Sequence, residues 1–105
     1  MKTFVFYVFV KPLPTSTHFR KVKAGYATVW SVSDDIATAR INCKKHLNDT
    51  GWRVIRVEES AEITAEQCEG DVIQKLCFQK AQIFGCSAEI AACSTDAAGG
   101  DSFLN

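Results

Sequence analysis

The sequence predicts an α+β fold: a two-layer sandwich in which two helices cover one face of a four-stranded mixed sheet, in the order β-β-α-β-α-β. Three observations carry that expectation. Residues 3–10, Thr-Phe-Val-Phe-Tyr-Val-Phe-Val, are β-branched or aromatic throughout. Ile36, Ala39, Cys43 and Leu47 recur at the spacing of one helical stripe. Beyond them, strand-like and helix-like segments alternate, separated by Gly, Asn and acidic residues. With 105 residues the chain has room for one core. Residues 1–94 are expected to form a single α+β domain. Residues 95–105, small, polar and Gly-rich, are expected to form a flexible C-terminal tail whose Phe103-Leu104 could dock.

The first strand is apolar on both faces, with Phe4, Phe6, Val8 and Val10 on one and Val5, Tyr7 and Phe9 on the other. It is therefore expected to be central and covered on both sides. A connection from Lys11 to Gly25, holding both prolines, leads to a second strand over Tyr26–Val32. That strand turns Tyr26, Thr28, Trp30 and Val32 one way and Ala27, Val29 and Ser31 the other. Ser33 is placed to cap the first helix, with Asp34 and Asp35 at the positive end of its dipole, and Asn48–Gly51 closes it. Trp52–Val57 is the third strand and runs into Glu58-Glu59, read as a solvent-facing strand end. Thr64 and Gln67 match a capping box with Ile63 as its staple residue. The second helix is expected from about Ala65, interrupted at most at Gly70, with Gly85 as its stop. Cys86–Cys93 alternates weakly and is the fourth strand. Each helix joins two strands, which for parallel neighbours requires a right-handed crossover. Two helices on one side of such a sheet resemble the ferredoxin-like group in architecture over residues 3–93. The element order departs from that group's β-α-β-β-α-β, and the resemblance carries no functional motif.

Composition excludes several classes. Hydrophobic residues make up 47% and charged residues 23%, which is globular rather than disordered or collagen-like. No apolar run reaches the ~18 residues of a membrane-spanning helix, so no membrane partner is expected. The five cysteines, Cys43, Cys68, Cys77, Cys86 and Cys93, are odd in number and contain no C-x-x-C pair. Met1–Val10 is β-rich, and the Lys11-Pro12-Leu13-Pro14 after it offers no small-x-small cleavage site. Reduced thiols without an export signal point to the cytoplasm.

The zero net charge conceals a division. Residues 1–56 carry ten Lys and Arg against three Asp, a net +7, and residues 57–105 carry two Lys against nine carboxylates, a net −7. The simplest account is mutual neutralisation in the fold. The alternative is an anion or acidic-partner site, in which the loop residues His18, Arg20, Lys21 and Lys23 join Arg40 and Lys44, or Lys45, on the first helix. Arg40 and Lys44 are one helical turn apart and project together. Nucleic acid is the less favoured anion, since only Phe19 interleaves with the loop cations.

Cys43 and His46, three apart on one helix, are the minimum of a thiol nucleophile, but Cys43 sits in the apolar stripe and is read as core. Cys68, Cys77 and Cys86, spaced by nine, do not share a helix face, so no metal site is expected. No phosphate loop, nucleophile elbow or zinc-protease motif is present, and no cofactor or catalytic residue is assigned. The leading expectation is a non-enzymatic domain that self-associates or binds a protein partner through a sheet face that two helices leave bare. The anion site is the first alternative and the Cys43/His46 thiol enzyme the second.

Overall fold

The aromatic and β-branched run near the N-terminus becomes the centre of the sheet. In the computed structural model, which describes residues 1–94, β1 (Lys2–Pro12) pairs antiparallel with β2 (Val22–Ser33) and with β3 (Trp52–Ile63). The last strand, β4 (Cys86–Ser94), pairs antiparallel with β2, giving the order β3-β1-β2-β4. The fold is thus α+β, a four-stranded antiparallel sheet with two helices, and not the mixed sheet expected. The reason is the position of β1: it separates β2 from β3, which run parallel without touching. Helix α1 (Ile36–Asp49) makes the crossover between them. Because β3 and β4 are opposite edges running in opposite directions, the passage through α2 (Val72–Phe84) is not a parallel crossover, and the handedness rule does not govern it. The expected tail, 95–105, lies outside the described residues.

The helices do not share a face. From α1, Ala39, Cys43 and Leu47 pack on Phe4, Phe6, Val8, Val10, Ala27 and Val29. From α2, Cys77 and Ala81 pack on Trp30, beside Val5, Val32 and Ile63. Alternate residues of a strand point to opposite faces, so α1 and the sheet form a two-layer sandwich while α2 lies across one end of the other face. The expectation of both helices on one face, and with it the basis of the ferredoxin-like resemblance, is corrected. Strand alternation marked β1 as covered on both sides but not which helix would take which side. Most of the stabilisation lies on the α1 side, where Phe6, Val8, Val10, Val29 and Leu47 are fully buried, each contributing roughly 1.5–3 kcal/mol relative to exposure.

Local signals competed at the helix starts. Ser33 ends β2, buried, and Asp35 is the cap of α1: its Oδ1 accepts the Thr38 N–H at 2.7 Å. That bond holds the Asp35 carboxyl below its ordinary pKa. Thr64 and Gln67 form half a capping box, the Thr64 N–H donating to Gln67 Oε1 at 2.8 Å, but only one 310 turn comes after it, Glu66–Cys68. The chain then reaches Asp71, whose Oδ1 accepts from the N–H groups of Ile73 and Gln74 and caps α2. Gly85 ends α2 as expected, at φ 90°, with its N–H on the Ala81 carbonyl.

β3 departs most from its expected form. It runs on to Ile63, so Glu58 and Glu59 lie within the strand. Its register against β1 shifts between Tyr7 and Val8 and again between Phe9 and Val10, which leaves Glu58 and Ile55 as the extra residues of two bulges. Each bulge re-aims the neighbouring side chains of the strand. Trp52, Val54 and Val57 therefore pack with the α1 core, and Arg53, Arg56 and Glu59 stand opposite Lys11, Phe9 and Tyr7. Gly25, expected in the connection, sits inside β2, where a Cβ would come within 2.9 Å of the Ala91 carbonyl oxygen.

Candidate binding surfaces

α2 covers only one end of its sheet face. Along that side of β1, burial falls from Thr3 through Val5 to Tyr7, which is 41% exposed. Beyond the helix lies an open aromatic ladder. Tyr7 stacks on Tyr26 with ring centroids 5.1 Å apart and planes 8° from parallel. Phe9 leans on Tyr26 at 5.2 Å, and the Arg56 guanidinium sits 4.7 Å over the Phe9 ring. Rings at these separations attract one another, and Arg56 gains from the face of Phe9.

Strand register orders the charges around this ladder. One row across the sheet reads Glu59, Tyr7, Thr28, Glu89, and the next reads Arg56, Phe9, Tyr26, Ala91. Beyond it, Arg53 stands opposite Lys11. The open half is thus acidic toward α2 and basic away from it. Where it meets α2 there is a cleft of about 560 Å3, bordered by Tyr7, Trp30, Glu59, Asp71, Ile73 and Glu89. Trp30 is 1% exposed, and its Nε1 has no hydrogen-bond partner among the described residues.

A second surface lies on the flank of α1. Arg40, Lys44 and Asn48, four residues apart, form one row facing edge strand β3, and with residues 53–57 of that strand, Arg53 and the Glu58-paired Arg56 among them, they border a groove of about 400 Å3. Neighbouring Lys45 instead bonds Asp49 at 2.8 Å, which raises its pKa. Among the described residues, no ion pair is formed by Arg40, Lys44 or Arg53, and no carboxylate lines the groove.

The six residues expected to share an anion site are distributed. Arg40 and Lys44 meet in the groove with Arg53. Lys23 lies near Arg53 too, in a separate depression with Lys11, Pro14 and Phe19. His18 stacks on Trp52, ring centroids 5.3 Å apart, and its N–H donates to Ser16 Oγ. Arg20 and Lys21 border neither depression. The loop is wound down by backbone bonds from Ser16 to Leu13, Phe19 to Ser16 and Val22 to His18, and is pinned at Gly51 by the Leu13 N–H. Arg53, common to both depressions, was missed because plain alternation of β3 gave no reason to associate it with α1.

Cys43 is fully buried between α1 and the sheet, and burial pushes its thiol up to about 12, the reverse of an activated nucleophile. Burial likewise raises Cys68, Cys77 and Cys86. Among the described residues, no three His, Cys, Asp or Glu side chains are grouped to hold a metal, and no helix is long and apolar enough to cross a membrane. Comparison with protein-family models, curated proteins and solved structures finds no match to this chain.

Proposed function

We propose that this chain is a cytoplasmic, non-enzymatic binding domain that self-associates, and that its partner surface is the open half of the sheet face beside α2. The observation that carries this reading is the register of charge around the exposed aromatic ladder. A two-fold axis lying across the strands, between the Tyr7 and Phe9 rows, superposes each row on the other in the second copy. Arg56, which pairs with Glu58 of its own chain, then comes opposite Glu59 of the second copy and Phe9 opposite Tyr7, each contact occurring twice, as an isologous interface requires. Lys11 and Arg53 come to the α2 shoulder, where Asp71 supplies opposite charge. Sheets packed face to face stand about 10 Å apart, close to the thickness of one helix, so α2 forms a step against which the second copy seats.

Aromatic residues and arginine are the side chains most enriched at interface centres, and this ladder supplies Tyr7, Phe9, Tyr26 and Arg56. Light scattering on a sizing column tests the reading. The expected mass at about 50 µM is twice 11.6 kDa. Replacing Tyr7 and Tyr26 together by Ser should return it to 11.6 kDa with the circular dichroism unchanged. A wild-type chain that stays at 11.6 kDa overturns self-association.

A further inference from the structure

The groove between α1 and β3 points to a second site. We infer that it binds a small organic phosphate monoester, with Arg40, Lys44 and Arg53 holding the phosphate and Val54 and Val57 lying against the organic part.

Among the described residues, four permanent cations line this groove and no carboxylate does; Arg56 pairs with Glu58, while Arg40, Lys44 and Arg53 form no ion pair. The contrast with Lys45, one residue along and paired with Asp49, shows that a counterion is available on α1 and is not placed here. A monocarboxylate would balance one of the three charges. A phosphate monoester carries about −1.5 to −2 at neutral pH and presents three acceptor oxygens, which suits two guanidinium forks and an ammonium. β3 is an edge strand, so its outward N–H groups have no strand partner and add donors on the same side. The groove volume, about 400 Å3, falls in the range of small-molecule sites. Val54 and Val57 give it an apolar wall that inorganic phosphate would leave unused.

Arg53 and Arg56 border both this groove and the proposed sheet-face interface, whereas Arg40 and Lys44 on α1 belong to the groove alone, so the variant at those two residues tests the site separately from self-association. Arg40, Lys44 and Arg53 are exposed, so substituting them leaves the core untouched. The test is titration calorimetry of the full chain with phenyl phosphate and with inorganic phosphate at fixed ionic strength. Phenyl phosphate is expected to bind, and more tightly than inorganic phosphate. The double variant Arg40→Gln/Lys44→Gln should lose at least about tenfold in affinity, as should Arg53→Gln. Lys21→Gln/Lys80→Gln, which removes the same net charge outside the groove, should stay within about twofold. Equal losses in the two double variants would reduce the effect to overall charge and overturn the site. So would the absence of binding heat for phenyl phosphate at about 10 mM.

Discussion

On the face of β1 turned to α1, Phe4, Phe6, Val8 and Val10 are all buried; on the other face Val5 and Phe9 are half-buried and Tyr7 is exposed. The two helices differ in the same sense. α1 puts Arg40, Lys44 and Lys45 on its exposed side along with Ile36 and Ile41, whereas α2 buries Cys77 and Ala81 and leaves Val72, Ile73, Leu76, Ile83 and Phe84 exposed. One face is a finished core and the other an unfinished one. The same strand builds both, so the difference arises from what each helix covers and not from strand composition. It is this uncovered half that the proposed self-association would bury.

The largest expected effect separates two adjacent residues. Phe6→Ala empties a fully buried site on the closed face and should destabilise the monomer by about 3–5 kcal/mol. Tyr7→Ala, one residue along, should cost the monomer less than about 1.5 kcal/mol. Urea denaturation well below micromolar concentration measures both, and equal losses would break the contrast between the faces. Next, Gly25→Ala forces a Cβ against the Ala91 carbonyl, spreading β2 from β4 beneath the open ladder; a loss of about 1–3 kcal/mol is expected. Asp71→Ala removes the cap of α2 and should cost about 1 kcal/mol. It should also hasten alkylation of Cys77 under α2 while leaving Cys43 under α1 unreactive, readable by mass spectrometry after iodoacetamide.

Smaller effects arise from proton linkage. The folded-state pKa of Asp35 lies below its ordinary value of 3.8, so its share of stability is present above that value and is lost as pH falls through the folded pKa. Asp35→Asn should flatten the acid limb of the stability curve. At the other end, Cys43 is raised from 9.0 to about 12. The folded chain therefore holds a proton that the unfolded chain releases, and stability declines as pH rises between those values. Cys43→Ala should reduce that alkaline slope, the remainder coming from Cys68, Cys77 and Cys86, which burial raises in the same direction.

Much of the fold was legible in the sequence. The strands' two-faced alternation, the α1 stripe and the stop at Gly85 come from local periodicity and backbone preference. Arg40 and Lys44 were legible as a pair for the same reason. The bulges left a trace too: in Trp52-Arg-Val-Ile-Arg-Val the apolar residues that reach the core are spaced by two and then three, a break in period that a flat strand cannot accommodate. The hidden part was non-local. Strand order decided which face each helix took, and therefore that Arg53 would border the same groove as Arg40 and that Tyr7, Phe9 and Tyr26 would lie beyond the reach of α2. The helix starts failed for a different reason: Ser33 and Thr64 are sound caps in isolation, but Asp35 and Asp71 stood close enough to compete.

The most direct test of the open face as a self-complementary interface is a mixing experiment between opposite charge reversals. Arg56→Glu reverses the charge of the Phe9 row, and Glu59→Arg with Glu89→Arg reverses the charge of the Tyr7 row. In sedimentation velocity each variant by itself should run at 11.6 kDa, and an equal mixture should recover twice that mass, because each basic position then meets an acidic one across the axis. If both variants associate as the wild type does, or if the mixture stays monomeric while the wild type is dimeric, the open half of the sheet is not the interface.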